Sequence, residues 1–299
     1  MKRGVINSLA LIMVFAVMMA TFSVVTAEFN RYALAVRMAN ELTSLKAHEK
    51  ISVHLNPEKE GFFDIMNEGQ AQSVVVSVLV LNWDGSVKYV HLEKPCVVSH
   101  LGNRTFGLLF AGNRTVGFLT SLGNVFWLKV ANVTFNVEGV SEVSSSTVLL
   151  VDGKEYAFSS LPLNFIWEAG STHVFEWCSV LPGVSNSTRF VWSSTKGGVP
   201  LRTGMVTVLH DGGHVTAKYV RQYTLTIEVN DCWMGETVPW PDVYWHDEES
   251  AVKVKANPYA GYVLDHWELD GVNVGSANPY TVTMESPHNL KAVFTEDEV

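Results

Sequence analysis

The chain has 299 residues, of which 47% are hydrophobic and only 17% are charged, and its formal net charge is −9. This composition excludes a disordered chain and is sufficient for two or three compact domains. The negative charge, without a cluster of lysine and arginine, argues against a nucleic-acid partner.

The first 46 residues predict one long helix at the membrane. Lys2 and Arg3 precede Gly4, and the 23 residues of Val5–Ala27 carry no charged side chain. As a helix these residues span about 35 Å, which is enough to cross the hydrocarbon core of a bilayer. After Glu28 the helix becomes amphipathic and continues to about Leu45. Apolar residues recur there at three- and four-residue steps, at Phe29, Tyr32, Ala33, Val36, Ala39 and Leu42.

Three fates of this N-terminus stay open. A secretory signal peptide would be cut after Ala27, whereas an uncleaved anchor would keep Lys2 and Arg3 on the cytoplasmic side. The third rests on resemblance, because Lys2-Arg3-Gly4 directly before an apolar helix resembles the class III signal of archaeal type IV pilin-like proteins. That resemblance implies cleavage between Gly4 and Val5, and packing of the released helix in a filament core. We predict this third fate.

Residues 50–146 predict a β-sandwich. The hydrophobic period changes to two residues at Ile51, Val53 and Leu55, as in a half-buried strand. Further runs bounded by turn residues predict strands at 62–66, 73–83, 87–92, 105–110, 115–119, 125–130 and 133–137. Asp84-Gly85 predicts a hairpin turn. The arrangement also resembles the β-sandwich head that archaeal pilin-like proteins carry behind their helix.

Self-comparison predicts two tandem copies of a small β module, residues 147–221 and 222–295. Four segments recur at offsets near 75: Val148–Leu150 with Tyr223–Leu225, Phe190–Trp192 with Asp265–Trp267, Val206–Val208 with Val282–Met284, and His214–Tyr219 with His288–Phe294. In this alignment Trp192 and Trp267 are equivalent, so we expect both to be buried core anchors.

The second copy carries five motifs in order: Tyr223–Ile227, Val252–Pro258, Gly261-Tyr262 with Trp267–Gly271, Asn278–Met284 and Leu290–Phe294. Together they resemble the divergent internalin-type B-repeat, a small β-rich module of bacterial and archaeal surface proteins. Gly261 and Tyr262 are expected to turn the chain into a strand that carries Trp267, and Asp270-Gly271 to close a hairpin. The resemblance implies an adhesive, stalk or spacer role without catalysis.

No pattern predicts a catalytic residue, a metal site or a cofactor. Motifs for nucleophilic serine, zinc or phosphate binding are missing from the sequence. The three cysteines, Cys96, Cys178 and Cys232, lack the spacing of zinc ligands, and whether two of them form a disulfide stays open. His210–His214 is interpreted as a hairpin turn. His246–Glu249 is interpreted as a solvated turn, with a weak Ca²⁺ site as the alternative.

Four Asn-x-Ser/Thr sequons lie beyond the helix and are candidate glycosylation sites: Asn103, Asn113, Asn132 and Asn186. They agree with domains outside the cell.

The expected fold is therefore mainly β, with one long N-terminal helix, a β-sandwich and two tandem β-rich modules. The expected function is that of a non-enzymatic structural or adhesive surface protein. It is held in the membrane by its helix as a stalk, or assembled with its own copies as a pilin-like filament subunit. The alternative is a membrane-anchored extracellular protein that captures a carbohydrate or a protein partner. Exposed aromatic residues on one face of the last module would favour capture. An exported enzyme would instead need a pocket with convergent titratable groups.

Overall fold

The computed structural model describes residues 2–56, 59, 62–81, 85–107, 114–143, 147–198 and 200–297. The prediction of a mainly β protein behind one long apolar helix is confirmed. The chain divides into two compact units, Met1–Lys129 and Val130–Val299. Asp84 and the sequon at Asn113 lie outside the described residues.

Helix α1 runs over 47 residues, Lys2–His48, and is therefore about 70 Å long. It is continuous because the sequence has neither glycine nor proline between Val5 and His48. Between Leu11 and His48 it includes an 18-residue window with a mean hydropathy of 2.0. Its length and composition fit either a membrane span or a signal sequence.

The remainder of the first unit is two packed antiparallel sheets. Its strands are β1 Ile51–Leu55, β2 Phe62–Asn67, β3 Ser73–Leu81, β4 Val87–Val98, β5 Asn103–Gly107 and β6 Arg114–Thr120. One sheet has the order β1-β2-β5, and the other contains β4-β3-β6. Phe63 of β2 meets Phe118 of β6 edge to face, with ring centroids 5.3 Å apart and both side chains fully buried.

One strand, β7 Val125–Glu138, replaces the two short strands predicted at 125–130 and 133–137. Buried side chains lie on both sides of Asn132 in the chain, at Val130 and Ala131 before it and at Val133 and Phe135 after it, and the backbone pairing does not break there. Ala131 pairs with Trp167, and Asn132 pairs with Ile166. A polar residue on the outward side of a strand leaves the ladder intact, so the predicted interruption is wrong.

The described residues of the second unit form fifteen further strands and a 3₁₀ turn at Phe158–Ser160. The strands that follow β7 are β8 Thr147–Val151, β9 Lys154–Ala157, β10 Leu163–Glu168, β11 Thr172–Trp177, β12 Val180–Pro182, β13 Thr188–Lys196, β14 Thr203–Thr207, β15 Gly213–Val229, β16 Gly235–Val238, β17 Val243–Asp247, β18 Ala251–Pro258, β19 Tyr262–Leu269, β20 Val272–Asn273, β21 Tyr280–Thr283 and β22 His288–Glu296. Their buried apolar residues form two separate clusters, one for each copy of the module.

The two copies have the same strand topology. In the first copy β7 pairs in parallel with β15 and antiparallel with β10, β13 pairs with β15, and β11 lies between β8 and β14. In the second copy β15 pairs in parallel with β22 and antiparallel with β17, β19 pairs with β22, and β18 lies between β16 and β21. The 17-residue strand β15 therefore ends one copy and begins the next. The strand pairing shows that the first copy begins at β7. The self-comparison of the sequence placed this boundary later, at residue 147.

Candidate functional site

The C-terminal end of α1 is bonded to the sandwich of its own unit. The side-chain amide of Asn124 donates to the carbonyl of Lys46 at 2.8 Å and to Oε2 of Glu49 at 2.9 Å. The hydroxyl of Thr120 donates to the same carboxylate oxygen at 2.8 Å. Since the last carbonyls of a helix have no partner within it, these bonds hold the helix end to the head. Gly4 and Val5, the predicted cleavage positions, lie at the other end of α1.

The strand registers correct the predicted equivalence of Trp192 and Trp267. Trp267 lies opposite Ala292, as Thr195 lies opposite Ala217 in the first copy. Trp192 is instead the counterpart of Leu264, and both strands carry an irregularity in register just after that position. The alignment from sequence was therefore three residues out in this strand.

Hydrogen bonds at two positions support this corrected alignment. Thr195 Oγ1 donates to the carbonyl of Leu201 at 2.9 Å, and Trp267 Nε1 donates to the corresponding carbonyl, that of Ala277, at 3.0 Å. The second position is Trp177 in β11 and Ala256 in β18. The main-chain N–H and C=O of Trp177 both bond to Arg202. In the same way, the main-chain N–H and C=O of Ala256 both bond to Asn278.

Each copy thus has one fully buried indole in its core, but the strand that carries it belongs to a different sheet of the module: β11 for Trp177 and β19 for Trp267. In the first copy the large residue is Trp177, and the small counterpart of Trp267 is Thr195. In the second copy Ala256 is the small residue, and Trp267 is fully buried. Trp192 is only half-buried, and its Nε1 donates to Thr195 Oγ1 at 3.2 Å. Close packing requires that the volume missing at one position be supplied at the other.

The turns of the second copy lie where its motifs predict them. Gly261 has a φ of 87° between β18 and β19, and Tyr262 begins β19. Asp270 and Gly271, with φ of 53° and 80°, are the central residues of the β19–β20 hairpin. Oδ1 of Asp270 accepts the N–H of Asn289 at 2.8 Å, and Oδ2 lies 2.7 Å from Nδ1 of His288.

Partial burial raises the pKa of Asp270, but these partners lower it more. The net effect is a pKa below the ordinary value of 3.8.

Large aromatic side chains of the second copy are exposed around one edge. Trp233 precedes β16 and Trp240 follows it, and the two residues are 81% and 64% exposed. Tyr259, just after β18, is 43% exposed, and its hydroxyl donates to Oε2 of Glu236 at 3.3 Å. Exposed aromatic residues of this size commonly mark a binding surface.

A comparison with known protein families gives one match, close to the C-terminal end of the chain. Residues 243–298 match the family model described as a divergent InlB B-repeat domain. No curated protein matches the chain. The match begins at β17 and includes β22, so the second copy, which we now call the B-repeat, contains it. A B-repeat behind an apolar N-terminal helix indicates a surface-associated protein whose helix is an anchor or a signal sequence.

A serine, a histidine and an aspartate in the first copy form a constellation that the sequence did not reveal. Oγ of Ser171 lies 2.9 Å from Nε2 of His173, whose Nδ1 lies 2.7 Å from Oδ2 of Asp152. These residue types in this order are those of a hydrolytic triad. Ser171 Oγ, however, also donates to the carbonyl of Glu168, and the Trp167 ring stacks on the imidazole at 3.7 Å.

The same arrangement occurs in the B-repeat at Asp270, His288 and Ser286. In both places the aspartate is in a hairpin turn and accepts the N–H of the residue after the histidine. Each set therefore attaches a hairpin to the neighbouring strand. The common sequence signal is an Asp-Gly turn followed later by Ser-x-His.

The two histidine-containing segments are turns between sheets rather than hairpins. His210–His214 lies at the connection from β14 to β15, and these two strands lie in different sheets. Within this segment, Gly212 donates its N–H to the carbonyl of Leu209. His246 and Asp247 are the last residues of β17, and the turn at Glu248 and Glu249 leads from there to β18, which lies in a different sheet. Burial lowers the pKa of His246. Within the described ranges, no three His, Cys, Asp or Glu side chains are grouped as a metal site would require.

Carboxylates of this acidic segment bind the junction between the two copies. Arg221 donates to Oε1 of Glu248 at 3.0 Å and to the hydroxyls of Ser141 and Tyr223 at 2.6 and 3.1 Å. Asp247 accepts a bond from the side chain of Gln222 at 2.8 Å. Both carboxylates are exposed, as the interpretation of a solvated turn expected, and they also accept hydrogen bonds from the strand shared by both copies.

The guanidinium of Arg189 makes a further contact at this junction. It lies 4.3 Å from the centroid of the Trp245 ring, and its Nε donates to the side chain of Gln222.

All three cysteines are free thiols: Cys96 and Cys178 are half-buried and Cys232 is exposed. Burial raises the pKa of Cys96.

The three described sequons differ in access. Asn103 and Asn186 are exposed at the start of β5 and in a turn before β13. Asn132 is half-buried in the middle of β7, beside Asn164.

Proposed function

We propose that this protein is a non-enzymatic, pilin-like surface protein whose α1 helices associate with one another after cleavage at Gly4. The head and the two tandem modules would then project from the membrane or from a filament. The B-repeat and the apolar N-terminal helix support the surface location. The exposed sequons at Asn103 and Asn186 are proposed glycosylation sites of the projecting part.

The observation that carries this proposal is the length of uncovered apolar helix. About 20 residues cross a bilayer, whereas α1 has 47. Beyond Ala27 the helix still exposes large apolar side chains, all at least 40% accessible: Phe29, Tyr32, Leu34, Val36, Met38, Leu42 and Leu45. A simple anchor leaves these side chains in water. Burial against other copies removes them from it, with a gain of about 25 cal/mol per Å² of apolar surface.

Photo-crosslinking in native cells tests the proposal. A benzophenone side chain at Tyr32 lies among the apolar residues and should crosslink to a second copy of the chain. The matched control places it at Asn30, two residues away on another side of the helix, and should give much less product. Equal yields at both positions, or no dimer-sized product at Tyr32, would contradict association through the helix. Surface filaments that disappear when the gene is deleted would support the filament form, and their persistence would count against it.

Capture of a ligand by the B-repeat is a second candidate function. It is favoured by the exposed rings of Trp233, Trp240 and Tyr259, and it is compatible with a stalk that holds the last module outward. The constellations at Ser171 and Ser286 support no rival enzymatic proposal, because each attaches a hairpin to a strand.

A further inference from the structure

The sheet β16-β18-β21 of the B-repeat has one side against the core and one side in solvent. Thr237, Val254, Ala256 and Val282 face inward and are buried. The residues that alternate with them form what we call the outer face: Glu236, Val238, Lys253, Lys255, Asn257, Thr281 and Thr283.

Aromatic rings lie at the margin of the outer face. The bond from the Tyr259 hydroxyl to Glu236 places this tyrosine beside β16. Trp233 is two residues before β16 and Trp240 is two residues after it, and β16 is an edge strand among the described strands of this sheet. These aromatic residues therefore lie beside the open edge of the sheet.

The centre of the outer face is cationic, although the whole chain carries a net charge of −9. Lys253 and Lys255 point to the same side of β18, roughly 7 Å apart. Neither ammonium is in an ion pair with any residue that the structure describes. Glu236 also lies on this face, where it accepts the Tyr259 hydroxyl, so the two lysines leave the face with a net positive charge. A net positive charge favours an occupant that carries negative charge.

The polar centre argues for a glycan rather than a protein. The core of a protein–protein interface is depleted of charged residues and enriched in apolar ones. Here lysine, threonine and asparagine occupy the centre, and the aromatic rings lie at the margin. A sugar polymer matches this order, because its hydroxyls bond to polar side chains and the C–H faces of its rings pack on aromatic rings.

We propose that the outer face binds an acidic polysaccharide, a sugar polymer that carries carboxylate or sulfate groups. The inference rests on the proposed surface location and on capture by the B-repeat. Lys253 and Lys255 pair with the anionic groups, Asn257 and Thr281 bond to hydroxyls, and the rings of Trp233 and Tyr259 stack on sugar rings.

The first copy provides an internal comparison. Its β11 and β14 pair Val174 with Met205, as β18 and β21 pair Lys253 with Thr281. Val174 and Met205 are 49% and 61% exposed, and the counterpart of Lys255 is Glu176, so neither lysine has a basic counterpart there. The lysines therefore distinguish the B-repeat from its neighbour, and the first copy is not expected to bind acidic sugars at this face.

The test measures binding of polygalacturonate and of its methyl ester to the full chain in lipid nanodiscs. We expect binding of the acid form, at least about tenfold weaker binding of the ester, and weaker binding as salt rises from about 50 to about 300 mM. The double change Lys253→Gln with Lys255→Gln should weaken binding about tenfold or more, and Trp233→Ala or Tyr259→Ala several-fold. The matched control, Lys154→Gln with Lys196→Gln, removes the same charge from the first copy and should leave affinity unchanged.

Several outcomes would overturn the inference, provided that circular dichroism shows folded variants. They are failure to bind both polygalacturonate and dextran sulfate, equal affinity for the ester, or equal losses in the two double variants. None of these outcomes affects crosslinking through Tyr32, so the polysaccharide inference and the proposed helix association fail separately.

Discussion

Exchange of the large and small core residues of the B-repeat would test the corrected alignment of the two copies. Trp267→Thr removes a fully buried indole and should cost about 3–5 kcal/mol. Ala256→Trp inserts an indole against the resident Trp267 and should cost about 1–3 kcal/mol or more through overpacking. The double variant restores the large–small pair that the first copy has at Trp177 and Thr195.

The double variant should therefore be more stable than the sum of the single changes predicts, by about 2 kcal/mol. The two sites are close, because Trp267 Nε1 bonds to the carbonyl of Ala277 and the next residue, Asn278, bonds to the main chain of Ala256. The introduced threonine can keep the bond to Ala277, as Thr195 keeps its bond to Leu201.

Amide hydrogen exchange in β18 and β19 of the full chain gives the local free energy of unfolding for each variant. A double variant whose loss equals the sum of the single losses within about 0.5 kcal/mol would refute the alignment. As a control, Trp192→Thr should cost at least about 1 kcal/mol less than Trp267→Thr, because Trp192 is only half-buried.

Three further outcomes are expected. Arg221→Ala should destabilise the second unit by about 1–2 kcal/mol in denaturant titrations, because its bonds to the junction are lost, whereas Lys196→Ala, which removes a more exposed ion pair, should cost under about 0.5 kcal/mol. Equal costs would contradict the role of Arg221. The lowered pKa of Asp270 stabilises the fold above the unfolded value of 3.8, and this stability is lost as pH falls through the folded pKa. Asp270→Asn should therefore lower the melting temperature near neutral pH, and its deficit relative to the wild type should shrink below about pH 4; a deficit that does not change with pH would refute this. In protein from native cells, Asn186→Gln should reduce the glycan mass and Asn132→Gln should not, since Asn186 is exposed and Asn132 is half-buried; the reverse result would contradict the assignment by access.

The sequence predicted elements best where one physical pattern dominates. The uncharged run after Gly4 and the three- and four-residue spacing of apolar residues after Glu28 predict one helix to about Leu45, and α1 ends at His48. Strict alternation predicts β1 at Ile51–Leu55, with the bounds that the structure has. The interruption predicted within β7 was wrong, because a single polar residue such as Asn132 weakens a hydrophobic pattern without breaking a backbone ladder.

The repeat register could not be obtained from a constant offset. The copies differ in loop length, so the true offset is 72 residues between Thr195 and Trp267 but 79 between Trp177 and Ala256. Matching tryptophan with tryptophan misled the alignment, because each core receives its indole from a different sheet. Strand pairing, which joins residues distant in sequence, was needed to see this.

Candidate binding residues were hidden for a related reason. Composition shows nine tryptophans but does not say which are exposed. Trp267 and Trp233 differ only in the strand or turn that carries them, and one is fully buried while the other is 81% exposed. The outer face likewise depends on which residues of β16, β18 and β21 lie side by side.

The mature N-terminus tests the central claim most directly. Helix association in a pilin-like assembly requires that Lys2 and Arg3 be removed, because their charges hold the helix end at the cytoplasmic side of the membrane. Mass spectrometry of N-terminal peptides from the native protein should find a chain that begins at Val5, and a bulky residue in place of Gly4 should block this processing. A chain that begins at Met1 would indicate a static anchor, and one that begins at Glu28 would indicate a cleaved signal peptide; either result would contradict the account.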